Sequence, residues 1–339
     1  MHIVRFVGLP PGGFSLPEGL SRLDGATQPG NRSMLGRPDA DSAGDIRVGV
    51  SDGVTVTELT GVSGVGEMLR LPAGELRERC AGAAGPLRDA ATVRLLPPVD
   101  GHMEVWAAGV TYHRSREARV VESERAADVY QQVYEAERPE LFFKSAAWRV
   151  TGDDETVAIR TDSGIDVPEP ELGLVVNSQA EIVGYTVVND VSSRTIEGEN
   201  PLYLPQAKIY LGGCAAGPAI RPAWEIADPY DLDITLTIRR DGAQAWTGNA
   251  ATGLLQRRLD DLVRYLFRAD DFPDGVLLAT GTSLVPDLPF TLLAGDEIII
   301  TITDVGTLTS RVVSGKAAMS WLTEAVAEPP PPAQTPIHP

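Results

Sequence analysis

The sequence predicts an α+β protein, rich in strands, with a small mixed N-terminal domain ahead of a larger β-rich domain. Three observations predict it. Apolar runs of strand length recur from Ile3 to Val313, bounded by Gly, Pro, Asp and Asn. Two junctions between such runs, Ser51-Asp52-Gly53 and Asp241-Gly242, carry the Asp-Gly pair that favours hairpin turns. Helical periodicity is confined to a few stretches, so strands outnumber helices.

Each element follows from its local pattern. Residues 1–45 are rich in turn formers (Pro10-Pro11-Gly12-Gly13, Pro29-Gly30-Asn31), with a strand at Ile3–Val7. Ile46–Val50 and Val54–Thr57 form a hairpin. Met68, Leu69, Leu76 and Cys80 give residues 65–82 a short amphipathic helix, broken near Pro72. Val93–Leu96 ends the N-terminal domain, residues 1–98. The larger domain, 99–325, opens with a strand at Glu104–Gly109. Residues 115–137 lack Pro and Gly and carry Val120, Val121, Ala127, Tyr130 and Tyr134 as a partial stripe, a helix that stops before Pro139. Leu141–Lys144, Val157–Ile159 and Ile182–Asp190 read as strands, the first of them buried. Leu232–Arg239 and Ala243–Thr247 form the second hairpin, and Leu259–Leu266 a helix. Val276–Ala279, Glu297–Thr303 and Thr307–Val313 are further strands. Trp106 and Trp148 read as core. Residues 326–339, with Pro329–Pro332, form an extended or disordered tail.

Charge excludes some functions. The 339 residues carry 29 basic and 47 acidic side chains, a net charge of −18, which repels nucleic acid and anionic membrane surfaces. An anionic substrate must therefore be met by local cations. Cys80 and Cys214 are the two cysteines, too few for a disulfide framework or a thiolate metal cage, and a reducing cytoplasm is the simplest home. No apolar run reaches membrane-spanning length, and Met1–Phe6 is too short and polar for a signal peptide.

The chemical signal centres on Asp166-Val167-Pro168-Glu169-Pro170-Glu171. Glu169 and Glu171 are two apart and share one strand face, while Leu172, Leu174 and Val176 take the other. Pro168 and Pro170 withhold backbone donors, so the piece is not the middle of a paired strand. Two adjacent carboxylates repel unless protons or a cation intervene, and a hard divalent ion with oxygen ligands resolves the conflict. The plainer reading is a solvated acidic edge. Asp190, at the end of the strand Ile182–Asp190, offers a third carboxylate, and Lys208 a cation for a substrate carboxylate.

Further motifs follow in order: Gly109-Val110-Thr111-Tyr112, Pro139–Lys144, Gly184-Tyr185, Asn189-Asp190, Gly217-Pro218 and Thr280-Gly281-Thr282. Over residues 100–320 this order resembles the fumarylacetoacetate hydrolase family. The resemblance implies a β-roll catalytic domain, a homodimer or dimer of dimers, and Mg²⁺ (or Mn²⁺ or Ca²⁺) held by Glu169, Glu171 and Asp190. It implies a small 2-oxo acid substrate whose keto and carboxylate oxygens chelate the metal, with Lys208 and Thr282 in contact with it.

One departure matters. Family hydrolases of C–C bonds carry a His and, three residues later, a Glu near the start of this domain; here Ser115 and Ala118 stand there. A serine hydroxyl cannot replace imidazole as a general base at neutral pH. Tyr112–Arg119, Pro139–Phe142 and Ile165–Glu171 look more like the 2-keto-3-deoxy-D-arabinonate dehydratase branch. That likeness implies loss of water from a 2-keto-3-deoxy sugar acid, giving a 2,5-dioxo acid. Glu140 and Lys208 are the candidate catalytic groups, with Tyr112, Arg114, Ser115, Lys144 and Thr282 as candidate substrate contacts. Glu140 also fits a surface charge before a strand. Arg114, Arg116 and Arg119 fit a solvated helix face paired with Glu117, Glu122 and Glu124, with one of the three clamping the substrate. The alternatives are an acylpyruvate-type C–C hydrolase using another base, an enol–keto isomerase or decarboxylase, and a non-catalytic scaffold that binds no metal.

Overall fold

Runs of Val, Ile, Leu and Thr assemble into three sheets. The computed structural model describes residues 1–9, 46–112 and 127–324, the side chains of 127–130 excepted. Ahead of the expected boundary at residue 98 lie β1 (His2–Gly8), β2 (Ile46–Ser51), β3 (Thr55–Glu58), β4 (Leu87–Asp89) and β5 (Val93–Leu96). Asp52 closes the first hairpin by accepting from the N–H groups of Val54 and Thr55 (2.9 and 2.7 Å). The 65–82 helix is interrupted as expected: α1 is Val65–Met68 and α2 Ala73–Ala81, with Pro72 at the N-cap of α2.

Beyond the boundary come β6 (Glu104–Gly109), α3 (Ala127–Glu135), β7 (Glu140–Ala146), β8 (Glu155–Ile159), β9 (Asp166–Val167), β10 (Pro170–Val176), β11 (Ile182–Asp190) and β12 (Ser192–Ser193). Then follow α4 (Arg194–Glu199), α5 (Leu204–Lys208), β13 (Cys214–Pro222), β14 (Asp233–Arg240), β15 (Ala243–Ala251), α6 (Leu259–Leu266), β16 (Val276–Ala279), β17 (Glu297–Ile302), β18 (Gly306–Ser314) and α7 (Ser320–Glu324). Asp241 and Gly242 both have positive φ (53° and 77°), the geometry of a type I′ turn between β14 and β15.

The largest sheet runs β4-β3-β2-β1-β13-β11-β10-β16-β6-β7, with β5 beside β1; a second runs β15-β14-β17-β18-β8, and β9 pairs with β12. Pairing is antiparallel except β16 with β6 and β18 with β8. The large sheet crosses residue 98 without a break, because β1 pairs with β13 at Ile3 and Ile220. One face of β10 and β11 (Leu172, Leu174, Val176, Tyr185, Val187) packs on β14, β17, β18 and α6. The other face (Val175, Val183, Val188) packs with α1 and α2 through Met68, Leu69 and Leu76. Burial on both sides explains why every residue of β10 is buried.

Three expectations change. β10 is an interior strand, paired with β11 from Pro170 onward and with β16 from Gly173; Pro170 is tolerated because it is the first residue of the strand. Leu141–Lys144 is mostly half-buried, because β7 is the edge of its sheet. Trp148 is 38% exposed, while half-buried Trp106 packs edge-on to Phe143 and Phe272. The tail, the turn-rich stretch 10–45 and residues 113–126 lie outside the described residues. Among the described residues no helix is long and apolar enough to cross a membrane.

Candidate active site

Strand direction alone collects the site. β11 ends at Asp190 and β10 begins at Pro170, opposite Asn189. β16 runs antiparallel to β10 and ends at Ala279; β6 is parallel to β16 and ends at Gly109; β7 returns from Glu140, opposite Gly109. Asp190, Glu171, Thr280-Gly281-Thr282, Thr111-Tyr112 and Glu140 therefore share one rim of five adjacent strands.

At that rim Glu169, Glu171 and Asp190 bring one carboxylate oxygen each to within 4.8 Å of one another. All three are buried, at 2%, 1% and 1% exposure. Burial pushes the Glu171 carboxyl well above the usual range, and the charges of Asp190 and Glu169 push it further. A buried set of three oxygen donors, repelling one another, suits a hard divalent cation.

The surrounding cations are fixed. Lys208 Nζ donates to Glu169 Oε2 (2.6 Å), Asp190 Oδ2 (3.1 Å) and Ser192 Oγ (2.6 Å). Lys144 Nζ is ion-paired with Asp190 Oδ1 and donates to the carbonyls of Val191 (3.1 Å) and Lys208 (2.6 Å). Lys144 is thus held beside Asp190, at the carboxylate cluster itself. Arg194 Nη2 donates to Glu169 Oε1 (2.8 Å). The backbone closes the set: Asp190 N–H donates to the Glu169 carbonyl (2.9 Å), and Glu169 N–H to Asn189 Oδ1 (3.2 Å).

Gly281 N–H donates to Glu171 Oε2 (2.6 Å). Glycine is required there: φ is 88°, and a Cβ would sit 2.1 Å from Thr111 Oγ1 and 2.8 Å from the Ala108 carbonyl. Gly109 has a parallel role, since a Cβ on it would lie 2.0 Å from Glu140 Oε2. The Glu140 carboxylate is laid across that glycine at the same rim, half-buried. Tyr112 is 1% exposed, and burial followed by the charge of Glu171 pushes its phenol well above its usual range. Thr282 is buried, its hydroxyl accepting from Leu284 N–H (3.1 Å). Arg114 and Ser115 lie outside the described residues.

Sequence reasoning missed Arg194, Ser192 and the Gly281 N–H. An arginine in Asp190-Val191-Ser192-Ser193-Arg194 reads as solvated by default; its position just past a buried strand end is the signal that could have found it.

An interior sheet with a buried Glu-x-Glu pair and a strand-terminal Asp at one rim defines a class of strand-rich proteins built around a buried carboxylate cluster suited to a hard cation. The chain belongs to the fumarylacetoacetate hydrolase family: residues 104–313 match the family description "Fumarylacetoacetate (FAA) hydrolase C-terminal". It is 48% identical over 217 residues to a "Probable 2-keto-3-deoxyxylonate dehydratase" of Haloferax volcanii, covering 64% of this chain and 74% of that protein. It is 44% identical over 223 residues to the "2-dehydro-3-deoxy-D-arabinonate dehydratase" of Saccharolobus solfataricus, covering 65% and 74%. The fold matches a solved 2-keto-3-deoxy-D-arabinonate dehydratase complexed with magnesium and 2,5-dioxopentanoate, with a TM-score of 0.71 and 32% identity over 93% of this chain and 99% of that one.

Proposed function

We propose that this protein is a divalent-metal-dependent hydro-lyase that removes water from a 2-keto-3-deoxy sugar acid and yields a 2,5-dioxo acid. The observation that carries the reading is the buried gathering of Glu169, Glu171 and Asp190 around Lys208, in a chain 44% and 48% identical to two dehydratases of this substrate class. A 2-keto-3-deoxy-pentonate keeps a single stereocentre, C4, so arabinonate and xylonate of one series converge on the same keto acid.

Glu169, Glu171 and Asp190 would hold Mg²⁺, the ion in the related complex. Bound there, the ion supplies Lewis acidity that polarises a 2-keto oxygen and acidifies the C3 hydrogens. The chain's own residues do the rest. The Lys208 ammonium faces the same carboxylates, where negative charge develops on the keto oxygen as C3 is deprotonated, and stabilises it. Glu140, on the same rim, takes the C3 proton or gives one to the departing C4 hydroxyl, which leaves as water. The C3–H and C4–O bonds break and C3=C4 forms; loss of a C5 proton with reprotonation at C3 gives the C4=C5 enol, and protonation at C4 with loss of the C5 hydroxyl proton leaves an aldehyde at C5. Tyr112 and Thr282 border the site as substrate contacts, and Arg114 and Ser115 belong with them in this proposal. The homodimer, the cytoplasmic home and the division at residue 98 are parts of the same reading.

The test is direct. Purified protein with Mg²⁺ and 2-keto-3-deoxy-D-arabinonate is expected to form 2,5-dioxopentanoate, read by NMR. Pyruvate release from an acylpyruvate, with no turnover of the sugar acid, would replace this reading with the C–C hydrolase.

A further inference from the structure

A molecule with 29 basic and 47 acidic side chains has carboxylates to spare for its surface arginines. One patch departs from that arrangement. The guanidinium carbons of Arg268, Arg138 and Arg264 lie 3.7, 5.6 and 5.7 Å from the centroid of the Tyr265 ring, and that of Arg258 lies 5.0 Å from the Tyr230 ring. Arg264 is paired with Asp261 (2.8 Å), an exposed pair that solvent screens. Arg138, Arg258 and Arg268 are exposed and, among the described residues, have no carboxylate within ion-pair distance. Aromatic faces attract these cations but do not neutralise them.

The patch is concave. Glu137, Pro139, Arg257, Arg258, Arg264 and Tyr265 line a cleft of about 420 Å³, within the size range of small-ligand sites. Its walls are fixed. Arg257 donates to the carbonyls of Val133 (2.8 Å) and Glu137 (3.1 Å), which ties the segment before α6 to the end of α3. Tyr265, 8% exposed, donates to Glu137 Oε1 (2.8 Å). None of Glu169, Glu171, Asp190 and Lys208 lines the cleft, so it is separate from the carboxylate cluster. Guanidiniums gathered without counter-charges repel one another until an anion enters, and the Arg fork fits the paired oxygens of a carboxylate or phosphate. The negative charge of the whole molecule repels a polyanionic polymer, whereas a small anion in the cleft feels mainly charges nearer than a Debye length, about 8 Å. We propose that this cleft is a second binding site, for a small anion with two or more charges on carboxylate or phosphate oxygens, held by Arg258 and Arg264 with Arg138 and Arg268 beside them. The site stands independently of the metal and of the reaction.

Calorimetric titration of the full chain at constant ionic strength tests it, with inorganic phosphate in one arm and succinate in the other. Succinate carries two carboxylates and no keto group, which sets it apart from a 2-oxo acid. One anion per chain is expected to bind in at least one arm, with a dissociation constant of about 1 mM or tighter. The tighter arm identifies the source of the oxygens. Arg258→Gln and Arg264→Gln should each weaken that binding roughly tenfold, the worth of one hydrogen bond to a charged group. Arg239→Gln, which removes an exposed arginine from β14 on the second sheet, should leave it unchanged. All three side chains are exposed, so the variants are expected to keep the native circular dichroism. Absence of saturable binding in both arms overturns the proposal on the native protein alone. Binding indifferent to Arg258→Gln and Arg264→Gln, or weakened equally by Arg239→Gln, overturns it as well.

Discussion

Glu140 owes its place to the absence of a side chain on Gly109, and that pairing gives a sharp residue-scale expectation. Glu140→Gln keeps the shape and removes the proton carrier. Turnover should fall by roughly 10²–10⁴, the usual worth of a positioned acid or base, while Mg²⁺ binding measured by calorimetry stays the same. Full dehydratase activity in that variant would remove Glu140 from the mechanism. Gly281→Ala acts on the other glycine. Its methyl would meet Thr111 and the Ala108 carbonyl in a backbone conformation that costs about 1–3 kcal/mol for other residues. Urea unfolding should show at least that loss, and Mg²⁺ affinity should fall because the donor to Glu171 moves.

At the scale of elements, the small ribbon of β9 and β12 ties the acidic loop to the rest. Asp166, its first residue, is 2% exposed, and burial pushes its carboxyl up to about 6 from 3.8. Between about pH 4 and 6 the folded chain keeps a proton that the unfolded chain has lost. Stability therefore falls as pH rises through that window and stays lower above it. Asp166→Asn should abolish this slope and raise the unfolding free energy from urea titration at pH 7.5 by on the order of 1–2 kcal/mol, with little change at pH 4. An equal effect at both values would mean the carboxyl titrates normally. Element boundaries were largely legible in the sequence where one residue type dictates the backbone. The Asp241-Gly242 turn, the break at Pro72 and the helix Leu259–Leu266 follow from local rules alone. β10 was harder, because proline counts against an interior strand except at its first position, and only the three-dimensional pairing shows which position it holds. The carboxylates were legible as residue types in order. Their outer donors were not, since Arg194, Ser192 and the Gly281 N–H meet them only after distant strands align.

For the whole molecule, a metal that binds only the folded chain must stabilise it. Mg²⁺ at a hundred times its dissociation constant should add about 2.7 kcal/mol, and excess EDTA should reverse the gain in thermal midpoint and stop turnover together. Activity that survives exhaustive chelation would detach the reaction from the triad. The continuous sheet bears on the two-domain expectation in the same way. β1 hydrogen-bonds to β13, and Val105 and Val175 share a core with Met68 and Leu76, so unfolding should proceed in one transition when followed by fluorescence and by circular dichroism.

The shared rim also sets a schedule for the polypeptide as it leaves the ribosome. Thr111, Glu140, Glu169 and Asp190 emerge well before the loop at Gly281, and the N–H that restrains Glu171 arrives only with that loop. A nascent chain halted before residue 281 carries every acidic ligand and still lacks the finished centre. Such distant partners make for slow completion, and the centre is finished only after residue 281 has been translated.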